Sequence, residues 1–393
     1  MPSQSRPYLT TLTPLRGIAA LLVVVFHSNL ILMAFMPPGY THFVENGWLW
    51  VDFFFVLSGF IMSYVYGKKF AENVSRAEYW RYLGARFARV YPLHLVTLLW
   101  ALVSCIAIVH YATALAPFFA AMFNPGAAPA SLLLLQGMHL FKAAPLNTPS
   151  WSLSTEWWVY MIFPFLVPTF ARLKVVGKLA ATALLVGFYV VLRYWVGPKA
   201  GPMGGHPTLN MVQDFGFFRC VAGFLLGMLV FEFYRSGLGR ELFRQSASFV
   251  VVFGGCLVAM HLGALDLAIL AFFPFILLTA AYNETGIKRV LDTRPLQRLG
   301  DWSFSIYMVH VPIMLMYLVV RVKRQPDVFA DFMKLISTPP DYRLGAILCP
   351  ILVVLTVLVA ACMYRFVEVP ARNYLNLQFE TRRKPVLVEA TEV

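Results

Sequence analysis

Arg16 and His27 stand eleven residues apart on one apolar segment, Thr13-Pro-Leu-Arg16-Gly-Ile-Ala-Ala-Leu-Leu-Val-Val-Val-Phe-His27. Eleven steps of 100° return to within about 20° of the start, so the two side chains share a helix face, roughly 16 Å apart along the axis. On a membrane span this puts a cation at one surface and an imidazole deep in the bilayer. An ionisable group at that depth is costly and points to function. A neutral imidazole is a general base close to physiological pH. The pair therefore suits a charged ligand held at the surface with its reactive end delivered inward.

Other residues could join this chemistry. Arg86 and Arg89, spaced i, i+3 in Arg-Phe-Ala-Arg-Val-Tyr-Pro, present two guanidinium forks on one face at the same surface as Arg16. Three arginines there could bind the phosphates of a nucleotide or coenzyme A, although arginines at span ends also serve as topogenic charge. Asp52 lies inside the run Val51-Asp-Phe-Phe-Phe-Val-Leu-Ser58-Gly59. It is read as orienting His27 or meeting a polar acceptor. Glu156 follows Trp151, Ser152 and Ser154 at the start of a span, with Ser152 and Glu156 on one face. Glu156 could pair with His27 or bind sugar hydroxyls. Trp151, Ser152, Ser154 and Arg219 are the acceptor-side candidates, while Arg219, an isolated intramembrane cation, reads as facing a cavity or paired, and Trp151, Trp157 and Trp158 also fit an interfacial aromatic belt. Ser303, Tyr307 and His310 form one polar stripe at i, i+4, i+7. That stripe supplies a second interior imidazole, and an interhelical hydrogen bond would explain it as well. Arg365 and Glu368 share a turn and read as a structural pair. The eight histidines show no metal-ligand spacing, and neither a phosphate-binding glycine loop nor a serine nucleophile elbow is present. The five cysteines form no CxxC pair and read as buried small hydrophobes.

The elements that must position these groups are membrane helices. Of 393 residues, 59% are hydrophobic and 13% charged, against roughly 25% charged in a soluble protein. Several apolar runs exceed the roughly 20 residues that cross the hydrocarbon core. The pattern predicts an all-α polytopic membrane protein of about ten spans, at 14–36, 48–67, 92–112, 152–171, 175–196, 215–234, 246–263, 265–283, 302–321 and 344–366. These make one membrane domain over 1–373, followed by a mobile cytoplasmic tail over 374–393. The proline-interrupted stretch 113–141 reads as re-entrant or interfacial. With the N-terminus inside, 23 of the 32 Lys and Arg residues fall on the cytoplasmic side, so both termini are expected there. The basic loop 321–343 dissents. The net charge of +13 tracks these loops, which argues against nucleic acid as a partner. No cleaved signal peptide is expected.

Together the pieces resemble the acyltransferase-3 family of bacterial membrane O-acyltransferases. They are Arg16-x10-His27, Val51–Phe60, Arg86-x2-Arg89 with Tyr-Pro after it, Trp151–Glu156, and Gly300–His310 before Pro312. The resemblance implies transfer of an acyl group, usually acetyl from cytoplasmic acetyl-CoA, to a hydroxyl of an extracytoplasmic glycan such as exopolysaccharide or lipopolysaccharide. It implies that Arg16-x10-His27 is essential and that Arg86 and Arg89 help bind acyl-CoA. Acetyl-CoA would be a donor substrate, with no permanently bound cofactor or metal. The setting would be the bacterial inner membrane. Some members carry a fused esterase-like domain; this chain is expected to act without one. The expected catalytic set is His27 as base or acyl carrier, with Asp52 or Glu156 orienting it and Tyr307 and His310 as oxyanion candidates. The competing classes are a proton-coupled transporter or glycan flippase, and a glycan polymerase or ligase; consumption of acyl-CoA separates them from the first reading. Oligomeric state and acceptor identity are not legible in the sequence.

Overall fold

The computed structural model describes residues 9–30, 34–113, 127–140, 146–200, 205–212, 214–325 and 340–381. The described residues are helical and contain no strand. The principal helices are α1 (Leu12–Leu30), α2 (Trp50–Phe70), α3 (Arg76–Tyr111), α4 (Ser150–Arg172), α5 (Val175–Val191), α6 (Gly216–Ser236), α7 (Ser246–His261), α8 (Phe272–Tyr282), α9 (Ser303–Arg324), α10 (Tyr342–Met363) and α11 (Val369–Thr381). Among the described residues, seven helical stretches are long and apolar enough to cross a membrane. They are Leu12–Leu30, Glu45–Phe70, Arg76–Tyr111, Val175–Lys199, Gly216–Ser236, Ser303–Arg324 and Tyr342–Phe379. The other three expected spans are helical too: α4 has 23 residues, but Ser246–His261 and Asp266–Tyr282 are shorter.

The ends of the long helices follow local chemistry. Ser75 caps α3, its hydroxyl accepting from Glu78 N and donating to the Glu78 carboxylate. Asp341 accepts from the backbone N–H of Arg343 and Leu344 and opens α10. Gly237, at φ 74°, closes α6. The last helix departs from expectation. A π-turn at Tyr364–Glu368 joins α10 to α11, and the helix continues to Thr381, with Phe379 against Gly84 of α3. The segment from 374 to 381 is therefore helix, with Phe379 against α3 while Tyr374 and Leu377 are exposed. Expectations for 114–126, for most of loop 321–343 and for 382–393 lie outside the described residues. Four cysteines are buried as expected; Cys362 is exposed on α10.

Helices α2 and α6 form the tightest pair in the bundle. A Cβ on Gly59 would land on the Phe224 carbonyl, and one on Gly227 on the Val56 carbonyl. Small residues allow such approach where lipid supplies no hydrophobic drive between helices. Backbone cannot yield as a side chain can, so Gly227→Val is expected to cost at least about 2 kcal/mol. The measurement is the melting temperature of the detergent-purified protein; an unchanged value would mean that the two helices can separate freely.

Candidate active site

Helices α1, α2, α3, α4 and α9 enclose a cavity of about 960 Å³, counting the open space at its mouth. Arg16 comes from α1, Arg86 and Arg89 from α3, Ser58 and Met62 from α2, Glu156 and Tyr160 from α4, and Ser303 and Tyr307 from α9. The i, i+3 spacing of Arg86 and Arg89 turns both toward one space, as the sequence suggests. Their electrostatic settings differ. Arg89 is paired with Glu368, a residue 1% exposed on the π-turn, and lies over the Phe304 ring. Glu368 also accepts from Ser305 at 2.7 Å. Arg86 donates to Tyr66 Oη at 3.2 Å and sits 5.5 Å from that ring's centroid. Neither Arg86 nor Arg16 has a carboxylate salt-bridge partner among the described residues, so the cavity keeps positive charge that an anion can meet.

The far end of the cavity is closed by hydroxyls and an aromatic ring. Tyr307 Oη lies 2.7 Å from Ser152 Oγ, and both reach the Pro149 carbonyl, at 3.2 and 3.1 Å. The Phe54 ring stands 5.9 Å from that of Tyr307. Behind Tyr307, with ring centroids 5.8 Å apart, is His310, which is fully buried. His310 Nε2 in turn lies 3.3 Å from His27 Nδ1. His27 Nδ1 is also 3.1 Å from the Val23 carbonyl. A carbonyl only accepts, so this contact assigns the proton to His27 Nδ1 and leaves the His27 Nε2 lone pair as the basic atom. His310 Nε2 then accepts from the same N–H. An imidazole oriented in this way can take a proton at Nε2.

Several expected roles are corrected by this geometry. Asp52 does not orient His27: both its oxygens are taken by Arg219, at 2.7 Å from Nε and 2.5 Å from Nη2, and both residues are fully buried. Arg219 is accordingly the paired cation of the two alternatives; it also donates to the Met211 and Trp48 carbonyls and lies over the Trp48 and Trp151 rings. Ser154 donates to the Leu134 carbonyl and accepts from Gly137 N, which ties a loop to α4. Glu156 does not reach His27. It faces the arginine cavity, accepts from Tyr160 Oη at 2.6 Å, and Tyr160 Oη is 3.0 Å from Ser58 Oγ. Glu368 pairs with Arg89 and not with Arg365, because the π-turn rotates it inward while Arg365 lies over Phe366.

A family model described as an acyltransferase domain matches residues 12–365, which takes in every residue of the cavity and both histidines. The chain belongs to the acyltransferase-3 family. Among curated relatives, the acyltransferase MdmB of Streptomyces mycarofaciens is 28% identical over 322 residues, covering 77% of this chain and 78% of that protein. The peptidoglycan O-acetyltransferase OatA of Listeria monocytogenes serovar 1/2a is 22% identical, covering 94% of this chain. The O-acetyltransferase OatA of Staphylococcus aureus is also 22% identical, covering 93%. The chain spans 56% and 57% of the length of these two O-acetyltransferases. No solved structure matches it.

In this acyltransferase-3 chain, the structure brings Arg16, Arg86, Arg89, Glu156, Ser152 and Tyr307 to one cavity, and His27 and His310 to one contact behind it. The sequence reading missed Tyr160, Ser58 and Ser305 as polar neighbours of this machinery. Tyr160 was legible: it continues the Ser152, Glu156 face by one more turn. Ser305 carried no such signal.

Proposed function

We propose that the chain is a membrane O-acyltransferase of the bacterial inner membrane. It takes an acyl group, acetyl in the simplest case, from cytoplasmic acyl-CoA and passes it to a hydroxyl of an extracytoplasmic glycan. One observation carries the reading: a cavity lined by three arginines ends at Tyr307 and Ser152, directly in front of the His310–His27 pair. The donor phosphates meet Arg16 and Arg86 first, with Arg89 held beside them by Glu368. The pantetheine arm covers the roughly 16 Å from Arg16 to His27.

The chemistry then follows from the tautomer. His27 Nε2 takes the proton of the acceptor hydroxyl as that oxygen bonds to the thioester carbon. The carbon–sulfur bond breaks, and the proton leaves on the coenzyme A thiol. Tyr307 Oη, turned from the Pro149 carbonyl and Ser152, donates to the developing oxyanion. His310, accepting from Nδ1–H, stabilises the imidazolium. Prior acylation of Nε2 satisfies the same geometry.

The test uses purified protein in nanodiscs with radiolabelled acetyl-CoA and an extracytoplasmic glycan fraction. Release of coenzyme A and label on the glycan are expected. Arg16→Ala and Arg86→Ala are expected to raise the donor KM at least about tenfold, as befits a lost charge-assisted phosphate contact. If acetyl-CoA is neither bound nor consumed with any acceptor, the reading fails.

A further inference from the structure

Ser303 Oγ is buried, lines the arginine cavity and has no hydrogen-bond partner among the described residues. A buried hydroxyl left unpaired is uncommon and calls for a partner. Its position along the cavity is defined. Ser303 precedes Tyr307 by one turn on α9, and Glu156 follows Ser152 by one turn on α4. Tyr307 and Ser152 touch, so Ser303 and Glu156 each stand about 6 Å from that contact, and both line the space shared with the arginines. Glu156 is bonded to Tyr160 Oη and to the Ser58 hydroxyl, and a carboxylate with about four lone-pair sites retains acceptor capacity. The cavity thus holds the arginines together with a hydroxyl and a carboxylate that each stand one turn from its closed hydroxyl end.

We infer that Ser303 and Glu156 read the uncharged amide arm of the donor, Ser303 donating to an amide carbonyl and Glu156 accepting from an amide N–H or hydroxyl. This rests on the proposed acyl-CoA donor and deepens it, because the arginines recognise any polyphosphate whereas these two groups recognise the polyamide arm. They are specificity-determining residues for the donor and take no part in proton transfer.

The test is calorimetric and uses two probes with the protein in nanodiscs: coenzyme A, and adenosine 3′,5′-bisphosphate, which carries phosphates but no arm. Ser303→Ala is expected to weaken coenzyme A about tenfold and to leave the bisphosphate Kd unchanged; Glu156→Gln is expected to weaken coenzyme A relative to the bisphosphate about tenfold, with the bisphosphate bound at least as tightly as by wild type because a negative charge beside the arginines is gone. Retained bisphosphate binding also shows that the variants are folded. Arg86→Ala should weaken both probes. Coenzyme A binding unaffected by Ser303→Ala and by Glu156→Gln would overturn the inference, as would equal weakening of both probes. Wild-type protein that binds neither probe would instead overturn the proposed donor itself.

Discussion

Replacing His27 by alanine is expected to reduce acyl transfer by at least about a hundredfold while leaving coenzyme A binding within about twofold of wild type, since general-base catalysis contributes about 10²–10⁴-fold. The separation of the two effects comes from the structure. His27 does not line the arginine cavity; it touches His310, which in turn packs against Tyr307. Its loss therefore removes the proton acceptor without touching the donor-holding groups. His310→Ala is expected to cost less, because the Val23 carbonyl still accepts from Nδ1–H and keeps Nε2 basic. Single-turnover rates with labelled acetyl-CoA, together with coenzyme A binding, separate these cases. Activity in His27→Ala above a tenth of wild type would move the base to another residue. Loss of binding along with activity would mean that His27 shapes the cavity.

Arg219→Ala is expected to unfold the protein in place of silencing it. The Arg219–Asp52 pair is fully buried and bidentate. Removing one partner leaves an uncompensated charge, at about 3–5 kcal/mol, a large share of a total stability of about 5–15 kcal/mol. The same change frees the Met211 and Trp48 carbonyls, which hold the segment before α6 and the entry to α2. Yield of monodisperse protein and its melting temperature in detergent are the readouts. Asp52→Leu with Arg219→Met, which removes both charges, should recover most of what Arg219→Ala loses. Should Arg219→Ala fold with an unchanged melting temperature yet fail in transfer, Arg219 would belong to acceptor binding after all.

Periodicity along a single helix made much of the donor side legible. The eleven-residue spacing of Arg16 and His27 and the i, i+3 spacing of Arg86 and Arg89 depend only on helix geometry. The apolar runs marked the membrane class because lipid admits few other backbone solutions. The span ends were legible to within a few residues for most helices. The stretch 374–381 was not, since its polar composition resembles a tail, whereas it is helix with Phe379 against Gly84 of α3.

Which helix supplies each partner was decided by the tertiary structure alone. His27 meets a residue 283 positions away, Asp52 one 167 positions away, and Glu368 turns from its neighbour Arg365 to Arg89 across the bundle. A sequence states that a charge inside a membrane must be satisfied, because leaving it unpaired is costly. It does not state by which residue. Membrane helices are apolar on nearly every face, so no amphipathic stripe marks the neighbour. Register and crossing are set by close contacts such as Gly59 on Phe224, and these bring Asp52 to Arg219 and leave His27 to His310. The sequence alone thus determined the chemistry available to this chain; the packing of its helices determined which of those groups act together.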